Sequence, residues 1–149
     1  RVLFRSIIDM QGRAAVHNPT TAPTRSRYWA AMTGRFYCCQ GNTLAGRAVV
    51  TEMARGYEDA PGSVADRLIA ALVAGEDAGG DHRGKLAAGI VVAKRDVDGI
   101  WLELHVDDSD DAVHELSRKY AAIDHAALEH AAGAAAAPPT PRPAPAEGR

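Results

Sequence analysis

Cysteine is scarce in this chain of 149 residues: only Cys38 and Cys39 occur. Adjacent in sequence, they have neither metal-ligand spacing nor a second pair, which excludes a zinc site and a disulfide framework. On a strand they point to opposite faces and are expected to be buried free thiols in a reducing compartment, the cytoplasm. A surplus of positive charge is also lacking. Lys and Arg total 17 against 19 Asp and Glu, for a net charge of −2, which excludes a nucleic-acid binder held by phosphate contacts. No run reaches the roughly eighteen consecutive apolar residues of a membrane span. HExxH is absent, and His125 and His130 miss the one-face spacing of a helical metal pair. No cofactor or metal is therefore expected, and neither nucleic acid nor membrane is an expected partner. What is present is an ordinary composition, 46% hydrophobic and 24% charged, that fits one domain.

Both ends stand apart from the rest. Arg1-Val2-Leu3-Phe4-Arg5-Ser6 is the translation of common sequencing-adapter DNA. Residues 1–6 are expected to be a read-end artefact, with the gene cut upstream of Ile7, so the lack of a leader says nothing of compartment. At the other end, residues 131–149 are rich in Pro and Ala and hold five of the eight prolines. Without large apolar groups they cannot offset the entropy of ordering, and a disordered tail is expected.

Between the ends, strand and helix patterns alternate. Residues 7–17 read as two short strands around a turn at Gly12, and 18–28 as loop. Phe36 to Gln40 reads as a strand bounded by Gly34 and Gly41. Val49, Val50, Met53, Ala54 and Tyr57 form one stripe of a helix over about 47–58. Ser63 and Asp66 after Pro61-Gly62 fit a capping box for a second helix that buries Val64, Leu68, Leu72 and Val73. Leu86 to Lys94 is almost continuously apolar, as in a strand covered on both faces. Ile100, Leu102, Leu104 and Val106 alternate with Trp101, Glu103 and His105, which predicts an antiparallel neighbour with one half-buried face. A last helix starts near Asp111, with Val113, Leu116, Tyr120, Ile123 and Ala127 on one side.

The candidate sites are few. Asp107-Asp108-Ser109-Asp110-Asp111 fails the calcium-loop template and reads as helix capping. In the glycine-rich loop 75–84, Asp81 and Arg83 flank His82 and could orient a carboxylate or carbonyl substrate, or pair with each other to fix the loop. Gln40, Gly41 and Asn42 read as the end of a strand turning at a glycine. There an amide side chain and backbone N–H groups could face a developing oxyanion, or Asn42 could merely bond its own turn.

Four motifs occur in order: IIDMQGRAA (7–15), GRFYCCQGNTLAG (34–46), AGGDHRG (78–84) and ELHVDDSDDAVHEL (103–116). Together they resemble the bacterial family of unknown function DUF1028, over about Ile7 to Ile123. The resemblance implies an α+β fold, the four-layer αββα sandwich of N-terminal-nucleophile (Ntn) hydrolases, here as a C-terminal portion over 7–130. In that class a Thr, Ser or Cys at the mature N-terminus attacks an amide and its own α-amine serves as base. The family's corresponding start lies upstream of this chain, and Arg1 cannot take the role. What carries over is support of the oxyanion or pocket by Gln40, Gly41, Asn42, Asp81 and Arg83. Two departures stand out: Lys85-Leu86 replaces a Gln-Ser pair and His105 an Arg.

The implied function is an amide-bond hydrolase when full length, acting on a small amide-type substrate and inactive as given. The alternative is a non-catalytic binding or structural module on the same scaffold. An incomplete sheet should leave an apolar face or a strand edge open, with homo-oligomerisation as the consequence.

Overall fold

A computed structural model of the chain describes residues 4–21, 24–84, 86–95 and 97–128. The Pro/Ala-rich tail, residues 1–3 and Lys85 lie outside the described residues. The elements in order are β1 (Arg5–Ile8), β2 (Ala14–His17), β3 (Tyr28–Gly34), β4 (Tyr37–Leu44), α1 (Ala48–Asp59), α2 (Val64–Asp77), β5 (Ala87–Val92), β6 (Leu102–Asp107) and α3 (Ala112–Ala121). The strands form three antiparallel pairs, β1-β2, β3-β4 and β5-β6. β1 starts at Arg5, so Arg5 and Ser6 pair with His17 and Val16.

Alternation along β4 decides the layering. Tyr37 and Cys39 are buried on one face, in a cluster with Val49, Val50, Ala54 and Tyr57 of α1 and Ala71 of α2. Cys38 and Gln40 point the other way and meet the β1-β2 hairpin: Gln40 Nε2 donates to the carbonyls of Arg5 and His17. The Phe36 N–H donates to Gly12 O at 3.0 Å, where Gly12 holds φ +78°, open to glycine at little cost. Helices, sheet and hairpin are therefore stacked in that order.

The second cluster joins Ala65 and Ile69 of α2 to Ile90, Val92, Leu102, Val106 and the α3 residues Leu116 and Tyr120. Leu116 is fully buried; such a side chain contributes about 1.5–3 kcal/mol relative to an exposed one. The helix pair α1-α2 packs closely because a Cβ at Gly56 would lie 2.8 Å from Ala70 O, and one at Gly75 2.5 Å from Met53 Cγ. The predicted capping box is present. Ser63 Oγ accepts from the Asp66 N–H at 3.3 Å, and Asp66 Oδ2 accepts from the Ser63 N–H at 2.7 Å. Asp66 also accepts from Tyr120 Oη at 2.8 Å, which ties the start of α2 to the end of α3.

Several expectations are corrected. β3 lies where no strand was read, and β4 does not end at Gly41 but runs on to Leu44. β5 is covered on one face only: Ile90 and Val92 are buried, whereas Val91 is 52% exposed. Trp101 is buried and Ile100 exposed, because the regular ladder starts only at Leu102. There the Trp101 N–H bonds Val92 O and Lys94 Nζ sits 4.1 Å from the indole centroid. Asp111 makes no side-chain cap to α3. Its carboxylate instead accepts from Arg118 at 2.9 Å and lies 2.8 Å from His114 Nδ1. Cys39 is buried as expected; Cys38 is only half-buried.

Candidate functional site

The amides of the QGN string sit within a strand, not at a turn. Gln40 pairs with Ala31, Gly41 with Ala30 and Asn42 with Trp29; the next pair is Tyr28 with Leu44. Thr43 is thus the extra residue of a β-bulge, and it takes φ +60°, a conformation a β-branched side chain rarely adopts. Tertiary bonds hold it there. Thr43 Oγ1 donates to Asp81 Oδ2 at 2.7 Å and Thr43 O accepts from the His82 N–H at 2.9 Å. The Ala45 N–H bonds Gly80 O at 2.9 Å, so the glycine-rich loop is fastened to the end of β4.

Within that loop the two candidate charges face each other. Arg83 Nε donates to Asp81 Oδ1 at 2.9 Å, Nη2 reaches Oδ2, and the Arg83 N–H bonds Oδ1 at 2.8 Å. The fork-to-fork pair holds the Asp81 carboxyl far below the usual carboxylate range. Burial opposes this, and the Arg83 backbone N–H and the Thr43 hydroxyl reinforce it. The loop-fixing alternative is therefore the one the geometry displays. The guanidinium still lies at the surface, on a shallow cleft of about 550 Å³ shared with Glu76, Leu86 and Val113.

Gln40, Gly41 and Asn42 do not line that cleft. Gln40 Nε2 also donates to Asn18 Oδ1 at 2.8 Å, so it anchors the β1-β2 hairpin. Asn42 is exposed, and its side chain makes no hydrogen bond among the described residues. Thr43 is the link between the two groups, a positioning residue that the sequence reading passed over. The only local signal was its place between Asn42 and an apolar Leu. Elsewhere, burial pushes the Cys39 thiol up, as befits an inert core cysteine. Burial and then the bond to Glu58 push the Tyr37 phenol up to about 12. His105, in place of the Arg, lies 2.9 Å from Glu103 Oε1. Among the described residues no group of three His, Cys, Asp or Glu is placed to hold a metal, and no helix is long and apolar enough to cross a membrane.

The model of the family of unknown function DUF1028 matches residues 5–116. The chain belongs to this family. A solved DUF1028 protein, from Silicibacter pomeroyi, is similar in fold, with a TM-score of 0.66 at 24% identity. The match covers 82% of this chain and 54% of that one, so the chain spans about half the length of its solved relative. No curated protein matches.

Proposed function

We propose that this DUF1028 chain is the supporting half of an αββα body of the Ntn-hydrolase type, which at full length cleaves an amide bond in a small substrate. The single observation that carries the reading is the fastening of the 78–84 loop to β4 through Thr43 and Asp81. It fixes a charged loop against a strand end whose exposed Asn42 is available to a developing oxyanion. The stacking of helices, sheet and hairpin supports the same reading, as three of the four layers. The attacking group would come from family polypeptide outside the matched span, which is 54% of the solved relative.

The test uses a longer DUF1028 protein and a panel of chromogenic small amides. Hydrolysis is expected, is lost when an N-terminal Thr, Ser or Cys is replaced by Ala, and falls about 10²–10³-fold when the counterpart of Asn42 is changed to Ala. Turnover by the present chain unaided, or by a protein with any other mature first residue, overturns the reading. A second reading, a non-catalytic module, is favoured by the way Asp81 and Arg83 occupy each other and Gln40 holds the hairpin. Full-length protein inert to every amide but still binding one of them would establish it.

A further inference from the structure

A second cleft, of about 630 Å³, lies where β3 and α1 begin, lined by Asn18, Arg27, Tyr28, Trp29, Arg47 and Thr51 together with two alanines of β3. It shares no lining residue with the cleft of Asp81 and Arg83, and its size falls within the roughly 300–1,000 Å³ of small-molecule sites. Its charge is one-sided. Arg13, Arg55, Arg83 and Arg118 each hold a carboxylate, but among the described residues the guanidinium groups of Arg27 and Arg47 have no ion-pair or hydrogen-bond partner. No acidic residue lines the cleft or stands in the first turn of α1, and Glu52, next to Thr51, is bonded to Arg55. In a chain of net charge −2, two uncompensated cations on one concave surface attract anions locally.

The other wall is aromatic. Tyr28 and Trp29 both border the cleft, although neighbours on a regular strand point to opposite faces. The register shifts between them, opposite the Thr43 bulge, and a bulge re-aims the side chains beside it. Trp29 is half-buried and fixed by its Nε1–H bond to Pro19 O at 3.0 Å, whereas Tyr28 is 46% exposed and offers a ring face. Asn18 Oδ1 is taken by Gln40, so its amide nitrogen is the end left to donate. We propose that this cleft binds a small molecule joining a phosphate monoester to a flat ring, the chemistry of a nucleoside monophosphate, with Arg27 and Arg47 on the phosphate and Tyr28 against the ring. The two cations select the head group. A phosphate monoester carries about −1.5 to −2 near neutral pH and has oxygens for two guanidinium forks, where a single carboxylate would leave one cation unmatched. The exposed ring selects the body, since aromatic side chains stack on bases. This goes beyond the hydrolytic reading and involves neither Asn42 nor the 78–84 loop.

Isothermal titration calorimetry of the chain with adenosine 5′-monophosphate, adenosine and inorganic phosphate tests it. The monophosphate is expected to bind about tenfold or more tightly than either part alone. Arg27→Gln and Arg47→Gln are each expected to weaken it about tenfold. Tyr28→Ala should weaken the monophosphate and not inorganic phosphate, and Arg55→Gln, outside the cleft, should change neither. Circular dichroism checks that each variant is folded; should Arg47→Gln fail to fold, Arg27→Gln alone decides. Raising the salt from about 0.05 M to about 0.5 M is expected to weaken the monophosphate and leave adenosine unchanged. No binding up to about 1 mM monophosphate, an affinity indifferent to both arginines, or inorganic phosphate bound as tightly as the monophosphate overturns the proposal.

Discussion

Thr43 shows how one residue ties the strand end to the loop. Its positive φ costs on the order of 1 kcal/mol or more, and its hydroxyl bond to Asp81 returns a similar amount. Thr43→Gly, which relieves the backbone and loses the bond, should therefore change stability by less than about 1 kcal/mol. Thr43→Val keeps the strain and buries no hydroxyl partner for Asp81, so it should cost about 1–2 kcal/mol; urea denaturation of both variants checks the order. Asp81 gives the matching pH signature. Its carboxyl is held below its ordinary value of 3.8, so its contribution is present in full above that value and is lost as the pH falls below it. Asp81→Asn should flatten the acid limb of the stability profile and cost about 1–2 kcal/mol near neutrality, discounted because Arg83 is largely exposed. Thermal melts between about pH 2 and pH 7 would show it. The pairing of Asp81 with Arg83 was one of two uses the sequence left open; the bond from Thr43 to Asp81 was not legible beforehand, because its partners lie 38 residues apart. Gln40 likewise bonds the carbonyls of Arg5 and His17, far away in the chain, where no local pattern could announce it.

Whole elements were legible to different degrees, and the reason is where their determinants lie. α2 was written locally: Ser63 and Asp66 close their box within four residues, whatever the rest of the chain does. Ser63→Ala should cost about 1 kcal/mol. Asp66→Ala should cost more, because it also removes the acceptor for Tyr120. Guanidinium denaturation of the two variants measures the difference. β3 was not legible, because Tyr28, Met32 and Thr33 are exposed and Ala30 and Ala31 carry too little contrast for a period of two. The junction between α2 and α3 adds a charge link: His114 lies 2.8 Å from Asp111 and 3.1 Å from Asp77. These two carboxylates, Asp111 first, raise the His114 imidazole above its ordinary 6.5. Its contribution is therefore complete below 6.5 and is lost as the pH rises through the elevated value. His114→Ala should remove that alkaline decline, seen in melts from about pH 6 to pH 9.

For the molecule as a whole, the class was legible through the family motifs and the covering of β5 was not. The resemblance implied α+β, and the mixture of helices with small antiparallel strand pairs is consistent with it. The continuous apolar run of β5, however, was read as two covered faces, and only one is covered. Leu86 and Val91 are 62% and 52% exposed, and Ile7 and Met10 of the hairpin 70% and 87%. A surface of this kind associates. Sedimentation velocity should show an average mass that rises with concentration, and Val91→Lys should reduce that rise without lowering the melting temperature by more than a few degrees.

Leu68 belongs to both apolar clusters, packed against each from α2. Three separate ladders suggest a molecule that could come apart piece by piece, but a helix shared as a common wall denies either side its independence. Trp29 of β3 donates to Pro19 O and Trp101 lies in the second cluster; their emission should change at the same urea concentration, one loss of structure reported twice.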